Sequence, residues 1–194
     1  MNLNKLKKIS GDASFRTFYR NKNSIIVYCK KQKKINLEIY DAVNKILIKN
    51  KILAPKIINE KYKKDFIEIE DFGNQTVYKK FKKNNVNKLY HYKKIIKLLS
   101  RMQKIKTRKI ETFLNQTYKV PNYTSYKLIK EANLFLEWYL PKFVKKNKQR
   151  LVRKEISSIY KILINQLIIK KKVFVHRDFH ISNIMLTEKG LGLI

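Results

Sequence analysis

Apolar residues alternate or cluster in three short runs near the start of the chain, over 5–9, 14–20 and 24–29. The polar stretch Asn21-Lys22-Asn23-Ser24 reads as a tight turn between the last two, so strands are expected. The period then changes. Over 35–50, Ile35, Ile39, Val43 and Ile46 share one helical face, flanked by Tyr40 and Leu47, and Pro55 closes the unit. Two further strands are expected over 56–59 and 65–70, joined by the polar turn 60–65. Beyond Gly73 the pattern becomes helical. Helices are expected over 75–83 and 86–105, the second carrying Leu89, Tyr92, Ile96, Leu99 and Met102 at spacings of three and four. A linker over 106–124 precedes two longer helices near 125–145 and 149–170. A short strand over 172–175, a second over 184–187, a turn over 187–190 and the start of a last strand complete the chain. The expected architecture is α+β: a sheet with one helix, then a mostly helical half, with the boundary near 70–74. No internal repeat is visible.

Composition changes this picture little. Of 194 residues 44% are hydrophobic, with only 4 Gly and 3 Pro, which excludes a low-complexity or disordered chain. The net charge of +32 invites a polyanion partner. However, the lysines are scattered through nearly every segment, in company with Asn and Ile. All three have A/T-rich codons, and codon bias accounts for such a composition without a dedicated nucleic-acid surface. Nucleic acid is therefore expected to bind only non-specifically. The lone Cys29 excludes a disulfide framework and a cysteine zinc site. No apolar stretch has signal-peptide character, and none approaches the roughly 18 residues of a membrane span. A reducing, cytoplasmic setting without membrane association follows, and the Asn-x-Thr triplets at Asn74, Asn115 and Asn122 are then accidental.

The densest chemistry lies in Val173–Leu186, VFVHRDFHISNIML. Three uses are open to it. His176, Asp178 and His180 alternate and could share a metal. The loop could be a structural turn with satisfied polar groups. Or it could transfer phosphate, because His-Arg-Asp followed four residues later by Asn is the protein-kinase catalytic-loop pattern. There the aspartate meets the acceptor hydroxyl, while the asparagine turns back to a magnesium ion on the nucleotide phosphates. The flanks VFV and IML place the loop on a strand–loop–strand unit. Asp71-Phe72-Gly73 also spells a kinase metal motif, but it precedes the His-Arg-Asp, contrary to kinase order. Asp71 is therefore expected to be a hinge residue and not a metal ligand.

Four segments, GDASFRTFYR (11–20), IEDFGNQT (69–76), PNYTSYKLIKEANLFLEWYL (121–140) and FVHRDFHISNIML (174–186), occur in the order seen in the aminoglycoside phosphotransferase and choline kinase superfamily. The chain most resembles its cell-wall-recycling branch, the anomeric kinases of N-acetylmuramate and N-acetylglucosamine. The resemblance implies a protein-kinase-like two-lobed fold, with a sheet-rich N-lobe over 1–73 on the ATP side. The mostly helical, incomplete C-lobe would span 74–194 and carry the catalytic loop 176–183. It implies ATP and Mg2+ as cofactors and a small-molecule acceptor, an amino sugar. Gly11, Asp12, Ala13 and Ser14 would cover the phosphates, and Glu70, Asp71 and Phe72 would line the hinge beside adenine. Asp178 would be the base, Asn183 the magnesium ligand, and His176 and Arg177 the braces of the loop. His180 would face the sugar, with Glu137, Trp138 and Tyr139 toward the acceptor pocket; plain helix packing is the alternative for those three. An aminoglycoside, choline or homoserine-like acceptor, or a non-catalytic basic nucleic-acid-binding or pseudokinase module, are the competing functions.

Two departures stand out. Protein kinases carry a lysine on the third strand, paired with a helix glutamate. Here Tyr28 or Cys29 falls near that position, Glu38 is the helix candidate, and Lys30 serves only if the register shifts. The family also continues into Asp-Phe-Gln, whose aspartate binds magnesium, whereas this sequence stops at Ile194. A fragment is therefore expected, binding metal–nucleotide weakly and turning over little or nothing.

Overall fold

The computed structural model describes residues 6–9, 15–83, 85–167 and 173–194. These fall into two compact units, one drawn from Met1–Lys119 with Val173–Ile194, the other from Val120–Lys172.

The first unit is built on a five-stranded antiparallel sheet. Its strands are β1 (Lys7–Ile9), β2 (Arg16–Asn21), β3 (Ser24–Cys29), β4 (Ile57–Lys61) and β5 (Phe66–Glu70), ordered β1-β2-β3-β5-β4. The β2–β3 turn takes Lys22 to φ 47°, the left-handed backbone that two-residue hairpins require. Strand alternation turns Ile25, Val27 and Cys29 of β3 to one face. There they join Ile67 and Ile69 of β5 in a core closed by Leu37 and Tyr40 of helix α1 (Ile35–Lys49).

The helix bounds agree with the sequence pattern, but the buried face does not. Ile35 is 53% exposed, and Ile39 and Val43 are only partly covered. The covered residues are Leu37, Tyr40, Ala42, Asn44, Ile46 and Leu47, together with Glu38 and Asp41. The polar pair is what apolar periodicity could not anticipate. Glu38 Oε1 accepts from Thr112 Oγ1 at 3.0 Å, and Asp41 Oδ2 accepts from Phe113 N at 2.8 Å. Burial is tolerated because each carboxylate is hydrogen-bonded. Those partners belong to a hairpin, β6 (Lys109–Glu111) and β7 (Thr117–Lys119), inside the stretch expected to be a linker. Its three-residue strands are too short to show a period; their seat on α1 determines them.

Helices α2 (Val77–Phe81) and α3 (Lys88–Gln103) follow, N-capped by the side chains of Thr76 and Asn87. The α3 stripe is displaced from expectation. Ile95, Leu98 and Met102 are buried, whereas Leu89 and Ile96 are 65% and 63% exposed. The doublets Ile95-Ile96 and Leu98-Leu99 supply two overlapping stripes that share Met102, and packing selects the one through Ile95 and Leu98.

The second unit is helical. Helix α4 (Ser125–Leu134) runs through a π-helical turn (Phe135–Tyr139) into α5 (Leu140–Phe143), and α6 (Lys146–Gln166) returns beside α4 and α5. Arg153 Nη2 donates to Leu136 O at 2.8 Å, satisfying a carbonyl that the π turn sets apart.

Back in the first unit, Val173–Val175 form no strand, contrary to the expected one; position 172 lies outside the described residues. The segment has no ladder partner among the described residues and is anchored by Phe174, 3% exposed. The last hairpin, β8 (Ile184–Thr187) and β9 (Gly190–Leu193), is antiparallel.

Candidate active site

The loop between Phe174 and β8 is fastened on its C-terminal side. Leu186 N donates to Gln75 O at 2.8 Å, Tyr78 N to Ile181 O at 3.0 Å, and Leu193 N to Leu53 O at 2.8 Å. The loop therefore hangs from the same segment, Gln75–Tyr78, that follows the sheet's last strand β5.

Within it, three side chains converge. Asn183 Nδ2 donates to Asp178 Oδ2 at 2.7 Å and to Asp178 O at 3.2 Å. His180 Nε2 lies 3.1 Å from Asp178 Oδ1. His180 Nδ1 accepts from Ser182 N at 3.3 Å, so in the neutral ring Nε2 carries the proton and donates to the carboxylate. Two donors thus face one carboxylate, which accounts for the 3.1 Å approach of Asn183 Nδ2 to His180 Nε2. Asp178 itself remains 69% exposed: it is oriented by its neighbours and open to solvent.

The residues before it hold the turn. Arg177 adopts φ 71°, an uncommon conformation for a long side chain and one that concentrates at functional loops. Its charge also reaches Tyr118, whose phenol burial pushes upward and Arg177 pulls back. His176 sits edge-on to Phe179, ring centroids 6.3 Å apart, with Nδ1 buried and unpartnered among the described residues. Burial pushes its pKa below the usual imidazole value, while Asp178 opposes. A shallow cavity of about 230 Å³ lies behind the loop, lined by Leu99, Met102, Phe174, His176 and Phe179 among others.

The segment after β5 forms a separate clasp. Arg20 of β2 grips Asp71 with Nε to Oδ2 at 2.5 Å and Nη2 to Oδ1 at 2.9 Å, and it also donates to Gly73 O and Asn74 Oδ1. Asp71 Oδ1 further accepts from Gly73 N at 2.7 Å. Glu70 exchanges bonds with Lys56, its N donating to Lys56 O and its Oε2 accepting from Lys56 N, both at 3.0 Å. The Phe72 ring lies against Gly192, where an added Cβ would come within 2.7 Å of it. Sequence reading missed Arg20. Its signal was available: positions 16, 18 and 20 share a strand face, and Asp71 had been set aside as a hinge residue.

The other nominated residues are dispersed. Gly11, Asp12, Ala13 and Ser14 lie outside the described residues. Glu137, Trp138 and Tyr139 occupy the π turn of the helical unit and are exposed there, Trp138 at 70%. Tyr139 stacks between Phe135 and Phe143 with centroids 4.8 and 4.2 Å away. The metal alternative for the loop finds no support: among the described residues no group of three His, Cys, Asp or Glu side chains is placed to hold an ion. No described helix is long and apolar enough to cross a membrane.

A carboxylate–amide pair on a loop tied to the segment after β5 is what known proteins can test. The sequence profile of the phosphotransferase enzyme family (APH) matches residues 5–194. The chain belongs to this family. Among curated relatives it is 23% identical over 189 residues to an N-acetylmuramate/N-acetylglucosamine kinase of Neisseria meningitidis serogroup B. It is 24% identical over 188 residues to the kinase of the same name from Pseudomonas aeruginosa. Each match covers 95% of this chain but only 54% and 52% of the relative, so the chain spans about half the length of those proteins. The fold is shared with solved family structures. These include a gentamicin–APH(2″)-IIa complex (TM-score 0.64, 16% identity, 100% of this chain and 65% of that one). Choline kinase LicA from Streptococcus pneumoniae is another (TM-score 0.59, 15% identity, 98% and 62%). The APH fold is therefore the kinase-like one expected from the sequence.

Proposed function

We propose that the chain supplies the nucleotide side and catalytic loop of an ATP-dependent kinase. Its acceptor would be the anomeric hydroxyl of an amino sugar of the bacterial cell wall. The observation that carries the reading is the oriented, solvent-open Asp178, fixed by Asn183 and His180. Phosphoryl transfer needs little covalent chemistry from protein; it needs an acceptor hydroxyl positioned and its proton accepted. An exposed carboxylate with two neighbouring donors performs that task.

In this reading residues 1–73 form the N-lobe and 74–194 the partial C-lobe. Glu70, Asp71 and Phe72 line the adenine side, Asp71 being occupied by Arg20 and hence a structural member. Gly11, Asp12, Ala13 and Ser14 cover the phosphates, His176 and Arg177 brace the loop, and His180 faces the acceptor. Glu137, Trp138 and Tyr139 serve the acceptor side; their exposure on a π turn supports ligand contact over core packing. The donor set suits magnesium: an amide that turns Nδ2 to Asp178 turns Oδ1 away, and a hard oxygen is what Mg2+ takes. Asn183 would hold the ion, which when bound neutralises phosphate charge.

The amino-sugar acceptor is supported by the names of the curated relatives and by the Phe-Leu-Glu-Trp-Tyr stretch. An ATP-bound aminoglycoside phosphotransferase among the structural neighbours supports ATP as donor. Labelled phosphate from MgATP offered to N-acetylmuramate, N-acetylglucosamine, choline and kanamycin tests the reading. Slow, weak labelling of the amino sugars is expected, in keeping with the low turnover expected of this chain; label on choline or kanamycin alone would move the acceptor to another branch of the family.

A further inference from the structure

Strand register brings one arginine to the end of the sheet's central strand. Arg20 of β2 pairs with Ile25 of β3, and Ile25 pairs with Ile69 of β5. Arg20 is therefore level with the last residues of β5, two strand spacings or about 10 Å away. Its long side chain crosses that row and lands on the turn that follows. The guanidinium meets Asp71 through Nε and Nη2, Gly73 O through Nη2 at 3.0 Å, and Asn74 Oδ1 through Nη1. Gly73 takes φ 82°, a conformation that suits glycine, and its N donates back to Asp71 Oδ1 at 2.7 Å. The turn 71–74 is thus held from the sheet, and the direction in which the chain leaves it is fixed.

The Asp178 loop hangs from the residues that leave this turn. Gln75, next after Asn74, accepts from Leu186 N at 2.8 Å; Thr76 bridges to Met185; and Tyr78 N donates to Ile181 O at 3.0 Å. These attachments fall on either side of Asn183. The Asn183 backbone is held as well, its N donating to His180 O at 2.9 Å and its O accepting from Ile194 N at 3.1 Å. Its side chain then orients the Asp178 carboxylate at 2.7 Å.

We propose that Arg20 is a positioning residue for the Asp178 loop. By fixing the turn 71–74 it sets the segment 75–78, from which Asn183, and through it Asp178, takes its place. The purpose of that alignment, phosphoryl transfer, rests on the kinase reading above. An ion pair serving stability alone needs only the Asp71 carboxylate; the additional bonds to Gly73 O and Asn74 Oδ1 hold the turn itself. An arginine suits the task because its planar fork grips a carboxylate bidentately and still has donors for other acceptors, whereas a lysine offers a single point charge.

The test reads the loop directly, by the side-chain amide signal of Asn183 in nitrogen-15 NMR of the 194-residue chain. The signal is assigned by its absence from N183D, and D178N shows where it falls without the carboxylate. R20M and D71N should each move it at least halfway toward its place in D178N, and R20K should restore part of that shift. I46V, a buried change in α1, controls for lost stability and should leave the signal at its wild-type place. Circular dichroism confirms each fold; should R20M fail to fold, D71N and R20K carry the comparison. In a second arm, R20M should slow transfer of labelled phosphate to N-acetylmuramate by about tenfold or more, the scale of a displaced reacting group. Its MgATP affinity should stay within about threefold of the wild type, which places the loss in turnover. An Asn183 signal unmoved in both R20M and D71N, or moved as far by I46V, would overturn the assignment. So would an R20M loss confined to MgATP affinity. A wild type that labels no acceptor would instead overturn the kinase reading, while the Asn183 signal still decides whether Arg20 sets the loop.

Discussion

At the scale of single residues, the loop works by setting few groups against one carboxylate. Asp178 receives hydrogen bonds from Asn183 and His180 while its exposure leaves room for an acceptor hydroxyl. His176 is the buried counterpart. Burial keeps its imidazole pKa low, so the folded state holds it neutral. An unfolded histidine titrates near about 6.5. Above that value neither state binds the proton and the His176 contribution is fully present. As pH falls below it the unfolded chain takes up the proton first, so stability declines until the lower folded pKa is reached. The wild type should therefore lose more stability than H176N between pH 7.5 and 5.5, read as the difference in urea midpoints. Parallel pH dependences would show that His176 is not held neutral by burial. The Asp-Asn spacing of this loop was legible in sequence because it is local. The donor role of His180 was not, since it depends on which ring nitrogen Ser182 occupies.

At the scale of elements, the segment after β5 is clasped to the sheet by Arg20 of β2, which pairs with Asp71. Their side chains are 20% and 14% exposed. Removing Arg20 should thus cost more than an exposed pair, up to about 1 kcal/mol, and less than a fully buried one, about 3–5 kcal/mol. R20M is expected to lose about 2 kcal/mol in urea unfolding, within the range those two classes bracket. A loss under about 0.5 kcal/mol, the noise of ordinary surface changes, would make the clasp ornamental. Strand β3 and helix α1 were readable from sequence to within a residue, because each has a period long enough to count. The buried faces of α1 and α3 were not. Doubled apolar residues offer two stripes, and Glu38 and Asp41 are buried only because the β6–β7 hairpin brings Thr112 and the Phe113 amide to them. That hairpin is fixed by tertiary contact and leaves no periodic trace.

At the scale of the whole molecule, order along the chain was more informative than composition. The +32 charge says little about function, because its lysines are spread evenly over the sequence. The succession of GDASFR, the acidic hinge and the His-Arg-Asp loop led to a family that matches residues 5–194. The fold answers to that family. The central claim is that the Asp178 loop performs phosphoryl transfer. D178N keeps the side-chain volume and removes the proton acceptor, so it separates binding from chemistry. Measured side by side, D178N should bind MgATP within about twofold of the wild type. It should show no transfer of labelled phosphate to N-acetylmuramate above background over long incubation, whereas the wild type labels the sugar slowly, at the low turnover expected of this chain. Equal labelling by both chains would contradict the account.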